Sequence, residues 1–365
     1  MRSFVHTAYP ARVVFGAGTL ARVGDEVERL GCSRALVAAG PSLADTATRL
    51  GDTLGPLAAA RFTGAAMHTP VEVTEEALEV AREHAVDCVV AVGGGSTTGL
   101  AKAIALRTGI PQVVLPTTYS GSEVTPVLGE TSQGEKTTRS AVEVLPETVV
   151  YDVELTLGLP VGLSVTSGVN AMAHAVEALY SEQANPVIDG FALDAITRMA
   201  RALPAIAADP SDVDGRADAL HAAWLAGTCL ASVGMGLHHK LCHTLGGMFG
   251  LPHAETHTVV LPHAMAYNAP AAPETMCRVA EALGTCDAPA AVHDLVASLG
   301  GPTSLDEVGL PESELGRAAE LAVAKPYPNP RELTLAGITG LLEGAWRGRR
   351  PRDRGLIDAA RDTEH

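Results

Sequence analysis

From Ala35 onwards the chain alternates short apolar runs with longer stretches in which apolar residues recur every three or four positions. Ala35–Ala39 (ALVAA), Ala60–Ala65 (ARFTGA), Cys88–Val92 (CVVAV), Gln112–Pro116 (QVVLP) and Thr148–Asp152 (TVVYD) have the length and composition of strands. Leu43–Leu54, Thr74–Ala85 and Thr97–Leu106, lying between them, carry the helical period. Strands alternating with helices predict an α/β domain with a doubly wound, mostly parallel, Rossmann-like sheet. After LTLGLP the strand signal nearly vanishes. Ser164–Tyr180, Pro186–Ala207, Ser211–Leu237, His238–Phe249 and His253–Asn268 read as helices, and the pattern continues through Glu274–Leu283, Ala290–Leu299, Glu312–Ala324 and Leu333–Trp346. The expected organisation is a sheet domain over 1–159, an all-helical domain over 160–350 with the boundary near Pro160, and a charged, Gly/Pro-broken tail over 351–365. The tail is expected to be disordered and solvated rather than a nucleic-acid arm.

Composition narrows the class. A chain of 365 residues with 47% hydrophobic and 19% charged residues, 37 Gly and 4% aromatics suits an Ala/Val/Leu-packed enzyme and not a disordered segment. A formal net charge of −16 repels nucleic acid and anionic membranes, so an anionic substrate would need a local basic pocket. Six cysteines without a CxxC pair suggest reduced thiols in the cytoplasm, and MRSFVHTAYP lacks the apolar core of an export signal. The apolar run Ala219–Leu237 approaches the length of a membrane span, but its Gly, small residues and His fit a central buried helix better.

Two constellations carry chemistry. In VDCVVAVGGGSTTGLAKAIAL, Gly93, Gly94, Gly95 and Ser96 separate a buried strand from a helix. Such a turn lets backbone amides approach a pyrophosphate at the positive end of the helix dipole. Neither GxGxxG nor the GK[ST] of a P-loop is present, so a dinucleotide is favoured over ATP. The first strand runs into Gly40, Pro41 and Ser42, with no carboxylate to repel a 2′-phosphate, so both NADH and NADPH are expected. Lys102, on the following helix, is expected to be exposed or ion-paired.

The second constellation is a set of polar pairs spaced one helical turn apart: Asn170 with His174, His239 with His243, and His253 with His257, with His238 the odd one out. Three such pairs in a helical half point to one shared site.

At these residues the chain resembles the iron-containing alcohol dehydrogenase superfamily, whose relatives include glycerol dehydrogenase and dehydroquinate synthase. The resemblance covers about residues 1–350. AYPARVVFG, GGGSTTGLAKAIAL, PTTYSGSEVTPVLGETSQGEKTT, LPETVVYDVELTLGLP, SGVNAMAHAVEALYS, HHKLCHTLGGMFGLPHAETH, NPRELT and AWRGRRP look specifically like its maleylacetate reductases. The resemblance implies an active site in the cleft between the two domains and a homodimer. It also carries the superfamily's metal-ligand positions onto Asn170, His174, His239 and His253, with His243 near the nicotinamide. Where the superfamily has Asp, this chain has Asn170. A neutral amide removes the one anionic ligand, leaving three imidazoles and a weak oxygen, so no metal is expected. If a metal is present, His174, His239 and His253 would hold it, and His257 offers one more imidazole.

The resemblance implies a dicarboxylate substrate, maleylacetate, whose C=C is conjugated with a ketone. Reduction there needs donors for a developing oxyanion and a proton for carbon. His243 is the expected proton donor, with His253 second; Asn170, His174 and His239 are expected to bind substrate oxygens. Arg331 is the candidate for a carboxylate, as a bidentate fork, with surface exposure as the alternative. Tyr119, Ser120 and Ser122 follow a strand end and are candidates to touch substrate or cofactor, whereas Glu123 is expected to anchor their turn. For the cofactor, Gly93 to Ser96 are assigned the pyrophosphate and Thr117 and Thr118 the adenine side or the nicotinamide ribose. Lys136 is assigned a ribose hydroxyl by resemblance alone. Competing readings are a metal-dependent alcohol dehydrogenase, a biosynthetic relative acting on another enone or carbonyl, and a silent nucleotide sensor.

Overall fold

The computed structural model of the chain describes residues 3–9, 12–132 and 135–351, and the backbone alone at 135 and 136. The expectations for Lys136 as a ribose ligand and for a disordered tail therefore fall outside the described residues. The chain forms two compact units. One comprises residues 8–159 and Ser211–Leu220; the other comprises 1–7, Pro160–Pro210 and everything from His221 on.

The first unit is built on six strands: β1 (Arg12–Gly16), β2 (Ala35–Ala39), β3 (Ala58–Phe62), β4 (Cys88–Gly93), β5 (Gln112–Pro116) and β8 (Thr148–Asp152). All neighbouring pairs are parallel, in the order β1-β8-β5-β4-β2-β3. Helices α1 (Val23–Arg29), α2 (Ala44–Leu54), α3 (Val71–Glu83) and α4 (Gly95–Thr108) are the crossovers, and β6 (Val127–Ser132) with β7 (Glu135–Ser140) makes a separate antiparallel hairpin. The strands are apolar at successive positions because both faces are covered. Val37, Ala39, Val90, Val92, Val113 and Leu115 pack into one core, and Leu36, Ala38, Val89, Ala91 and Val114 into the other, on the side of Leu78, Leu100 and Ile104.

The strand order reverses once. From β2 the chain steps outward to β3, then returns to place β4 on the other side of β2. The crevice beyond the carboxyl ends of β2 and β4 is therefore the topological switch point, where open α/β sheets bind ligands. The Gly93–Ser96 turn leaves β4 at that spot.

The second unit contains α5 (Val161–Leu179), α6 (Pro186–Ala208), the later part of α7 (Val213–Ser232), α8 (Leu237–Phe249), α9 (His253–Asn268), α10 (Pro273–Ala282), α11 (Ala288–Ser298), α12 (Leu315–Val323) and α13 (Leu335–Trp346). Leu241, Leu245, Val259, Val260, Ala319, Leu342 and Ala345 form one of its buried cores.

Several expectations are corrected. The strand expected at Ala60–Ala65 sits at Ala58–Phe62, and β1 and the polar β6–β7 hairpin appear where no strand was expected. The helix expected over Ser211–Leu237 stops at Ser232, because Gly234 and Gly236 interrupt it before α8. Its first turns group with the sheet unit, where the buried Arg216 donates to the Tyr119 hydroxyl at 3.2 Å and to the Leu159 carbonyl at 2.9 Å. No single helix among the described residues is long and apolar enough to cross a membrane. All six cysteines are unpaired, four of them buried.

Candidate active site

In the sheet unit, the turn after β4 is shaped by its neighbours. A Cβ on Gly93 would fall 2.3 Å from Thr97 Oγ1, and one on Gly94 would fall 3.0 Å from the Thr118 side chain. Packing therefore requires glycine at 93 and leaves only a tight fit for a side chain at 94. Gly95 is different: its nearest neighbour would be Ser120 at 3.8 Å, an ordinary contact. Gly94 caps α4 without any side-chain hydrogen bond, and Gly94, Gly95 and Ser96 are partly open. The first amides of a 14-residue helix thus meet the switch-point crevice uncapped by a side chain, which fits a pyrophosphate. Thr117 is buried and donates its amide to the Gly93 carbonyl at 3.0 Å, while Thr118 leans over Gly94.

The loop after β5 is held from beneath. Lys102 is wholly buried, contrary to the expectation of an exposed or ion-paired side chain. Its Nζ donates to the carbonyls of Ser122 (2.6 Å), Thr125 (2.8 Å) and Val127 (2.8 Å) and to Thr125 Oγ1 (3.1 Å). Burial pushes its pKa down to about 7. Glu123, also fully buried, accepts from Tyr151 Oη at 2.9 Å and Ser120 Oγ at 3.2 Å, and burial pushes its carboxyl up. Glu123 thus anchors the turn. Tyr119 is fully buried with its hydroxyl on Arg216, and Ser122 is partly exposed.

In the helical unit, α5 is almost entirely buried, and its polar stripe is longer than the sequence suggested. Asn170, His174 and Glu177 follow at i, i+4 and i+7, so they share one face. Glu177 is the residue of this stripe that sequence reasoning missed; the signal was its spacing from the other two on an otherwise apolar helix. Its carboxylate accepts from the amides of Gly236 (3.0 Å), His238 (2.9 Å) and His239 (3.3 Å), supplying the N-terminus of α8 with a cap that Gly236 does not. It also accepts from His239 Nδ1 at 2.7 Å. Burial works to raise its pKa, but the His239 hydrogen bond and charge and the two histidine amides outweigh burial and hold it below the usual carboxylate range.

The other ring nitrogen of His239, Nε2, lies 2.7 Å from His174 Nδ1, and His174 Nε2 lies 3.4 Å from Asn170 Nδ2. Around this row stand further imidazoles. The His257 ring centre is 5.1 Å from that of His239 and 4.3 Å from that of His253, and His243 is 6.3 Å from His239. His243 and His253 are exposed, whereas His174, His239 and His257 are buried. The structure therefore gathers all three helical pairs into one site. His238 is buried too, its Nε2 2.9 Å from His257 Nδ1, and burial first and neighbouring histidines second push both of their pKa values well down. Asn170 Oδ1, His257 Nε2 and His238 Nδ1 have no partner among the described residues. Arg331 is exposed; its Nη1 donates to the Tyr267 carbonyl at 2.9 Å and its guanidinium lies 4.4 Å from the Tyr267 ring centre.

As arranged, His174 Nδ1 and His239 Nε2 are hydrogen-bonded to each other and do not share a divalent cation through these two nitrogens. Two nitrogens on one tetrahedral zinc-sized ion stand about 3.4 Å apart, whereas His174 Nδ1 and His239 Nε2 are at hydrogen-bond distance, 2.7 Å. Asn170 offers no charge and turns its nitrogen, not its oxygen, to His174. A second cluster, His238, Cys242 and His257, brings its ligand atoms within 4.8 Å of one another, but the two imidazoles already bond each other.

Residues 10–153 match the model of the iron-containing alcohol dehydrogenase family, and residues 164–346 match the C-terminal model of the Fe-containing alcohol dehydrogenase family. The chain is 59% identical to maleylacetate reductase 1 of Rhodococcus opacus over 95% of its own length and 98% of that protein. It is 53% identical to the maleylacetate reductase of a Rhizobium species, covering 96% of this chain and 100% of that one. The crystal structure of maleylacetate reductase from Agrobacterium tumefaciens superposes with a TM-score of 0.93 at 54% identity, over 96% of this chain and 100% of that one. Two family models spanning nearly the whole chain, and relatives alike from end to end, lead to one conclusion: the chain belongs to the iron-containing alcohol dehydrogenase family.

Proposed function

We propose that the protein reduces maleylacetate to 3-oxoadipate with NADH or NADPH and without a metal ion. The observation that carries this reading is the amide of Asn170 closing a hydrogen-bonded row with His174 and His239, where the family's pattern places an acidic ligand. Identity of 59% to a protein named maleylacetate reductase supports the substrate. The uncapped N-terminus of α4 supports a dinucleotide, with Gly93 to Ser96 on the pyrophosphate, Thr117 and Thr118 on the ribose region and Lys136 on a ribose hydroxyl.

When bound, the reduced nicotinamide supplies a hydride, which adds to the alkene carbon β to the ketone. The electron pair of the C=C bond moves to the ketone oxygen as an enolate, and that oxygen needs donors fixed in advance. We assign this role to His257 Nε2, which has no partner among the described residues, and to the second N–H of Asn170. His243, exposed beside His239, delivers a proton to the carbon α to the ketone, with His253 as the alternative. One hydride and one proton thus convert C=C to CH–CH. The guanidinium of Arg331 takes a substrate carboxylate, in a protein otherwise strongly acidic. A homodimer is the assembly proposed with this reading.

The test mixes purified protein with maleylacetate and either reduced nicotinamide, with and without a strong chelator, and follows coenzyme absorbance. Consumption of both coenzymes, unchanged by chelator, is the expected result. Loss of activity on chelation, restored by iron or zinc, would return the protein to metal-dependent chemistry.

A further inference from the structure

Lys102 is closed to solvent, and its Nζ is surrounded by oxygen. The carbonyls of Ser122, Thr125 and Val127 lie 2.6, 2.8 and 2.8 Å away, and Thr125 Oγ1 lies at 3.1 Å. An ammonium has three N–H groups for these three carbonyls, whereas a neutral amine would turn its lone pair on one of them. Thr125 Oγ1 gives its own hydrogen to the Ser122 carbonyl at 3.0 Å, so it too meets Nζ as an acceptor. Glu123, in the same turn, is bonded instead to Tyr151 and Ser120. Every hydrogen-bond partner of Nζ among the described residues is therefore a neutral oxygen. Such a donor set replaces the hydration shell of a monovalent cation in carbonyl-lined filters.

The segment leaving β5 lies against the glycine turn. The Thr117 amide donates to the Gly93 carbonyl at 3.0 Å, Thr118 stands over Gly94, and Ser120 is the nearest neighbour of Gly95. A single residue, Gly121 in the left-handed region with φ of +73°, joins Ser120 to the caged stretch that starts at Ser122. Gly95 and Lys102 stand about two turns apart on one face of α4. One helix thus supplies both the open amides and the cation that holds the wall beside them. We propose that the Lys102 ammonium is a built-in substitute for a bound monovalent cation, a positioning residue that fixes Thr118 and Ser120 beside the glycine turn and so sets the affinity for reduced nicotinamide. Lys102 itself touches no coenzyme. The kinetic consequence rests on the reading that the dinucleotide binds at the N-terminus of α4; the charge in the cage does not.

Lys102→Met keeps an apolar stem and removes the charge. Its KM for the reduced nicotinamide is expected to rise about tenfold or more, with kcat at saturating coenzyme within about twofold of wild type. A fall in kcat with KM unmoved would mark Lys102 as a structural pin and overturn the proposal. Lys102→Ala leaves room for n-propylammonium, and that ion should bring KM back toward the wild-type value. The alcohol n-propanol, of the same length without the charge, should not. Equal recovery with the alcohol, or none with either, would sink the idea. Lysine-selective nitrogen-15 NMR of the wild-type protein decides even if neither variant folds. On the acid side of neutrality Lys102 should be an ammonium with slowly exchanging hydrogens; a neutral amine there would refute the cage. Should wild-type protein bind neither coenzyme, the dinucleotide reading fails while the cage is judged by its nitrogen signal.

Discussion

Tyr151, at the inner end of β8, donates its hydroxyl to the buried Oε1 of Glu123 across 2.9 Å. This bond ties the sheet to the loop that carries Tyr119, Ser120 and Ser122, and it crosses 28 residues of sequence to do so. Tyr151→Phe keeps the ring in place but strips a buried carboxyl of one donor, which costs about 1–3 kcal/mol. Urea unfolding of the two proteins measures it. An unchanged midpoint would show that the loop is held by Lys102 alone.

The glycines at 93 to 95, where β4 ends and α4 begins, separate packing from binding. Gly93→Ala forces a methyl group 2.3 Å from Thr97 Oγ1 and should destabilise the sheet unit. Gly95→Ala finds its nearest neighbour at 3.8 Å, so folding should be nearly unaffected. A methyl group there nevertheless stands beside the open end of α4, and KM for the reduced nicotinamide should rise roughly tenfold, equivalent to about 1.4 kcal/mol. Equal KM values for Gly95→Ala and wild type would argue against a pyrophosphate at this helix.

Asn170→Asp restores an anionic oxygen beside His174. The variant should retain iron or zinc through purification, measured by elemental analysis, and lose at least about tenfold in turnover. If it binds no more metal than wild type, the neutral amide is not what limits metal binding.

Glu26 is 2% exposed and pairs with Arg12 and Arg29, each at 2.8 Å. Burial raises its pKa, but the hydrogen bonds and charges of the two arginines outweigh it, so the folded value lies below the ordinary one. The unfolded chain therefore takes up this proton at higher pH. The stabilisation is fully present above the ordinary glutamate pKa and is lost as pH falls through the folded value. Glu26→Gln should cost about 1 kcal/mol at pH 7 and progressively less on acidification. A difference independent of pH would assign the effect to packing.

What the sequence disclosed follows from how local each signal is. The β4–turn–α4 unit is legible because an apolar run, a glycine cluster and a helical period are contiguous. The β6–β7 hairpin is not, because GETSQGEKT carries no apolar alternation. The pairs Asn170/His174 and His253/His257 are visible as one-turn spacings, but Glu177 acquires meaning only when the N-terminus of α8 arrives, 59 residues later, to be capped. Lys102 misled for a similar reason: its partners are backbone carbonyls, which every residue has and no sequence advertises.

Lys102 also gives the molecule an internal witness. Lys325 is exposed and Lys240 partly so, and amine-acylating reagents will reach them in the native protein, whereas the Lys102 amine is closed to solvent on every side. Acylation at Lys102, read by peptide mass after brief exposure, would report the opening of the sheet unit itself and time its unfolding in a mixture where labels on Lys240 and Lys325 report the surface.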